Sequence, residues 1–100
     1  MAKFDIYKSP SAGAAFLLDL QDDILDDLST RVVAPLIPSD GVPKRMKILN
    51  PLISVEGNEY LLMTHLLAAI PASSLKEKIS SALTQRDEII ASLDFLFTGF

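Results

Sequence analysis

Ile48-Leu49-Asn50-Pro51-Leu52-Ile53-Ser54-Val55-Glu56-Gly57-Asn58-Glu59-Tyr60-Leu61-Leu62-Met63 holds two apolar runs, 48–55 and 60–63, with polar and flexible residues between them. A central Gly-Asn pair in that position signals a two-residue hairpin, because both residues tolerate the positive φ that a tight antiparallel connection needs. The stretch predicts two antiparallel strands and, with them, a mainly β fold. Upstream, residues 31–37 include Val32, Val33, Leu36 and Ile37 and read as a third strand. Pro35 cannot donate to a ladder, so an edge or a bulge is expected there.

The rest of the chain extends this pattern. Phe4 and Ile6 alternate with Asp5 and Tyr7, the period of a half-buried strand, until Ser9-Pro10-Ser11-Ala12-Gly13 interrupts it. Residues 15–20 form another apolar run, which enters the acidic stretch Asp22-Asp23-Ile24-Leu25-Asp26-Asp27. There Ile24 and Leu25 suit a short strand or a turn. Residues 38–47, with Pro38, Gly41 and Pro43, are expected as an exposed loop, longer than the usual connection of ~4–6 residues. Residues 66–70 are a short apolar run stopped by Pro71, and 72–82 are mixed and small.

The C-terminal segment changes period. Ile89, Ile90, Leu93, Leu96, Phe97 and Phe100 recur at spacings of three and four, which predicts one helix of about fourteen residues. Thr84 is the expected N-cap, with Asp87 as the acidic member of a capping-box variant, and Gly99 is the expected residue after the helix. Terminal turns commonly become polar, yet this one grows more apolar towards Asp94-Phe95-Leu96-Phe97-Thr98-Gly99-Phe100. Ile89, Ile90, Leu93 and Leu96 are expected to rest on the core, and Thr98, Gly99 and Phe100 to meet another molecule.

One hundred residues suit a single domain over 1–100. Apolar residues make up 49% of the chain, so part of that surface is expected at an interface between two copies. The net charge of −4 disfavours direct nucleic-acid binding, and Lys44-Arg45-Met46-Lys47 reads as a solvated loop tip. No apolar run reaches the ~18 residues of a membrane span, and Met1-Ala2-Lys3-Phe4-Asp5 does not resemble a secretion signal, so a cytoplasmic location is expected. The chain has no cysteine, which rules out disulfides and thiolate metal sites.

Chemistry is sparse. His65, the one histidine, stands in an apolar context without a glycine-flanked nucleophile and reads as structural. Asp19, Asp22, Asp23, Asp26 and Asp27 lack the glycine and the glutamate of a calcium loop and read as a solvated acidic face. Gly13, Gly41, Gly57 and Gly99 are too scattered to cradle a phosphate. No cofactor or metal is expected, and the residues point to a small binding protein.

The order of segments resembles the CcdB family of toxins from toxin-antitoxin modules. The resemblance rests on Phe4-Asp5-Ile6-Tyr7, Leu18-Asp19-Leu20-Gln21-Asp22-Asp23-Ile24-Leu25, Arg31-Val32-Val33-Ala34-Pro35-Leu36, Leu62-Met63-Thr64, Ile70-Pro71 and residues 93–100. It implies an α+β, mainly β fold: a small antiparallel SH3-like barrel with a wing of extra strands and one C-terminal helix, shared with MazF-like toxins. It implies a cytoplasmic homodimer that is not an enzyme, that binds the gyrase A subunit and traps DNA gyrase on cleaved DNA, and that a CcdA-like antitoxin neutralises. The target-contacting positions carried over are Ile24, Leu25, Asp94, Thr98, Gly99 and Phe100. The family tail Trp-Gly-Ile here reads Thr98-Gly99-Phe100, and Asp94 replaces an asparagine. One alternative is a MazF-like endoribonuclease using Arg31, Arg45, Arg86 and Thr64. Another is a CcdB-like protein without gyrase activity.

Overall fold

The β-branched run around Val32 and Val33 forms the longest strand and the centre of the computed structural model, which describes residues 2–11, 13–41 and 44–99. The strands are β1 (Asp5–Lys8), β2 (Phe16–Asp19), β3 (Thr30–Pro38), β4 (Leu52–Val55), β5 (Asn58–Leu62), β6 (Ala68–Pro71) and β7 (Lys78–Ser81), followed by the helix α1 (Arg86–Thr98). All pairings are antiparallel, in the order β4-β5-β3-β2-β1-β7, with β6 also on β3. The result is a half-barrel with β4 and β5 as a wing.

Pro35 corrects one expectation, because β3 is central rather than an edge. Along one side the middle of β3, Val33 to Leu36, pairs β2; along the other its first residues, Thr30 to Val33, pair β6, and its last, Leu36 to Pro38, pair β5. The carbonyls of Val32 and Leu36 face β2, accepting from Leu20 and Ala15, whereas the Pro35 carbonyl faces the other side and accepts from Met63 N at 2.9 Å. The missing N–H of Pro35 therefore falls in the gap where β3 changes partners, and no ladder bond is lost.

The hairpin forms, shifted by one residue from its expected centre. Val55 pairs with Asn58, so the turn is Glu56-Gly57, with φ of 50° and 83°. Glutamate occupies the first left-handed position and Asn58 opens β5. The apolar run at 48–55 is also divided: Asn50 closes a turn onto Met46, leaving only Leu52–Val55 extended. β7, which pairs β1, was not expected from the mixed residues 72–82.

Clusters pack against β1 from both sides, so it is buried at Asp5, Ile6 and Tyr7 alike instead of on alternate residues. One core gathers Ile6, Leu18, Ala34, Leu36 and Leu62 under Ile89 of α1, with Ile90 and Leu93 packed against it. A smaller core on the opposite face joins Tyr7, Val33 and Leu75. Full burial of a side chain such as Ile89 contributes about 1.5–3 kcal/mol, which is what fastens the helix to the sheet.

The start of α1 also departs from expectation. Thr84 lies in a 3-10 turn at Leu83–Gln85, and Gln85, at the cap position, makes no side-chain cap. Its amide instead satisfies the backbone of β4, accepting from Ser54 N at 2.9 Å and donating to Leu52 O at 2.8 Å. At the other end Gly99 does close the helix, with φ of 79° and its N–H on Phe95 O at 3.0 Å.

Candidate functional site

Ile24 and Leu25 occupy a 3-10 turn at Asp23–Leu25, with Ile24 85% and Leu25 47% exposed. Single exposed apolar side chains are ordinary on protein surfaces. What distinguishes this pair is how firmly the turn is held. Asp22 caps it, accepting from Ile24 N at 3.0 Å, and Asp23 accepts from Lys3 N at 2.7 Å. Gln21 donates to Leu25 O at 3.1 Å while its side-chain oxygen accepts from Val32 N at 3.2 Å, tying the turn to β3.

Beneath the turn lies Arg31, only 1% exposed. Its Nε and Nη2 donate to Asp19 Oδ2 at 3.0 and 2.6 Å, Nη2 also to Gln21 O at 3.1 Å, and Nη1 to Asp26 Oδ1 at 2.9 Å. Asp19 is fully buried and also accepts from Gln21 N at 3.0 Å. The solvated acidic face is corrected accordingly: Asp19 is the buried counter-ion of Arg31, and Asp26 joins it. Burial pushes the Asp19 carboxyl up, opposed by the Arg31 guanidinium and the Gln21 N–H. Burial alone would lower the Arg31 pKa, but the hydrogen bond and charge of Asp19 outweigh it and the net direction is up. With N–H donors on both carboxylate oxygens, the pair is ionic.

The helix end is a second, separately anchored group. Buried Ser92 donates to Ile89 O at 2.7 Å and accepts from Thr64 Oγ1 at 3.2 Å. The inward face thus runs Ile89, Ser92, Leu93, Leu96, and turns Phe97 outward to 71% exposure. Leu96 is partly buried, and Asp94, Thr98 and Gly99 are exposed. Thr98 Oγ1 donates to Asp94 O at 2.6 Å, so its hydroxyl is engaged within the helix. Asp94, Thr98 and Gly99 are brought together; Ile24 and Leu25 hang from different anchors, Arg31 and Gln21. Phe100 lies outside the described residues. Phe97 was missed as a surface residue because hydrophobic spacing counts it with the core; Ser92 in the inward phase was the available signal.

Of the groups named for RNA cleavage, Arg31 and Thr64 are buried in the contacts just given, Arg45 is partly buried, and Arg86 is exposed and lies 3.5 Å from Asp87. His65 is exposed, its Nδ1 3.5 Å from Asn50 Nδ2. Among the described residues no cluster of three or more His, Asp or Glu has the arrangement of a metal site, and no helix is long and apolar enough to cross a membrane.

A family model described as CcdB protein matches residues 3–99. Among solved structures, an endoribonuclease from a mycobacterial species, in complex with its cognate antitoxin, matches with a TM-score of 0.77 at 9% identity. The match covers 96% of this chain and 93% of that one. At this identity the likeness is one of fold, the half-barrel of CcdB-like and MazF-like proteins. It corrects the expectation that the chain is not an enzyme: a protein of this fold is an endoribonuclease, so the fold gives no ground for excluding catalysis.

Proposed function

The chain belongs to the CcdB family of toxins, and from that premise we propose that its target is DNA gyrase. In this proposal a homodimer engages the gyrase A subunit through Ile24, Leu25, Asp94, Thr98, Gly99 and Phe100 and holds the enzyme on cleaved DNA. The observation that carries the proposal is Ile24, 85% exposed on a turn whose backbone is fixed from below. A turn whose backbone is already held in one geometry loses less conformational entropy on binding than a mobile loop, a condition under which a few contacts dominate an interface.

Two copies related by a two-fold axis would present paired helix ends to a two-fold symmetric target. A cognate antitoxin is the expected neutraliser, supported by the antitoxin bound to the structurally similar endoribonuclease. Binding to purified gyrase A subunit tests the target. The wild-type protein should bind, and Ile24→Asp should weaken binding by about 2 kcal/mol or more with its melting temperature unchanged. RNA cleaved in chelator by the wild-type protein, with no gyrase binding, would favour the endoribonuclease alternative, which the shared fold supports.

A further inference from the structure

The turn that carries Ile24 and Leu25 does not end with them. Asp26 N donates to Asp23 O and Leu28 N to Leu25 O, both at 3.1 Å, so bonding between residues three apart reaches Leu28. Ser29 O then accepts from Ala72 N at 2.8 Å, which fixes the far side of the turn to the end of β6. Bonds of this kind bring residues three apart to the same side of a turn, and so place Leu28 beside Leu25. Leu28 is 51% exposed and belongs to neither buried cluster. Ile24, Leu25 and Leu28 are thus three exposed apolar side chains in close succession, on backbone held at both ends.

The surface around this patch is acidic. Asp22, Asp23 and Asp26 each have Lys3 or Arg31 within 4.0 Å, whereas Asp27, equally exposed, has no ion-pair partner among the described residues. A second copy brought here by a two-fold axis through the turn would set these aspartates against themselves, and a nucleic-acid strand would meet them with its phosphates. The occupant that fits is a protein surface with an apolar recess ringed by Lys and Arg. We propose that Leu28 is a third apolar contact of the target-facing turn, and that the aspartates around it, Asp27 foremost, select a cationic rim on the gyrase A subunit. The inference rests on the gyrase reading and deepens it, since a protein that holds DNA carries the lysines and arginines such a rim would meet. The two parts act differently: burial of Leu28 slows dissociation, and the charge of Asp27 speeds encounter.

The test measures association and dissociation rates with purified gyrase A subunit for the wild-type protein, Leu28→Ser, Leu28→Met and Asp27→Lys, in low and in high salt. Leu28→Ser should dissociate about tenfold faster or more at either salt, and Leu28→Met should stay within about twofold of wild type. Asp27→Lys should associate at least about threefold more slowly in low salt, with the difference closing in high salt. Melting temperatures should not change, because both side chains are exposed; should Leu28→Ser melt early, Leu28→Gln takes its place. Absence of wild-type binding would remove the gyrase reading and this inference with it. Wild-type binding overturns this inference alone if Leu28→Ser dissociates no faster, if Leu28→Met is as weak as Leu28→Ser, or if Asp27→Lys associates as fast as wild type in low salt.

Discussion

Arg31 links the interior of the sheet to the exposed turn, since each of its side-chain nitrogens reaches an acceptor on Asp19, Gln21 or Asp26. Removing the buried counter-charge while keeping its shape is therefore the informative change. Asp19→Asn should cost about 3–5 kcal/mol in urea unfolding, because it removes the buried counter-charge and leaves Arg31 the half-exposed Asp26 as its near carboxylate. It should also speed amide exchange at Ile24; a loss below about 1 kcal/mol would mean the pair contributes little. Tyr7 offers a pH-dependent check on the same face. Burial, then the charges of Asp5 and Asp19, raise its phenol above the ordinary 10.0. The unfolded chain releases this proton near 10.0 while the folded protein retains it, so Tyr7's contribution is complete below that pH and disappears as pH climbs through the folded value. Tyr7→Phe should flatten the alkaline decline in urea midpoint, and parallel declines in the two proteins would contradict the assignment.

At the scale of elements, what was legible depended on how local the cause was. The hairpin and α1 followed from spacing alone, although Glu56 accepted a positive φ and moved the turn by one residue. β7 was hidden because Lys78-Ile79-Ser80-Ser81 carries a single large apolar side chain, and its pairing partner β1 is far away in sequence. The Thr84 cap failed for a related reason: Gln85 is recruited by β4, a tertiary demand that no capping rule contains. Gln85→Ala should cost about 1–2 kcal/mol and accelerate amide exchange at Ser54, whose N–H it would leave without its acceptor. Unchanged exchange at Ser54 would show that the wing is held otherwise. For the candidate site, the flanking aspartates left Ile24 and Leu25 open as a short strand or a turn, and the structure shows the turn. The support beneath it was not legible, since Arg31 meets Asp19 across 12 positions of sequence.

For the molecule as a whole, the apolar turn at Ile24 and the helix end at Phe97 are two of the outward apolar features that belong to neither buried cluster. Their exposure has no role in either core, so a partner must give them one if they matter. In the proposed correspondence with the family tail Thr98 takes the place of an indole, and its hydroxyl is already engaged by Asp94 O. Restoring a large aromatic there should strengthen target contact without disturbing the fold. The most direct measurement is the amount of cleaved plasmid DNA trapped when the purified protein is incubated with gyrase and ATP. Trapped DNA should accumulate with the wild-type protein, rise about tenfold or more in potency with Thr98→Trp, and vanish with folded Ile24→Asp. Absence of trapped DNA with both the wild-type protein and Thr98→Trp would contradict gyrase as the target.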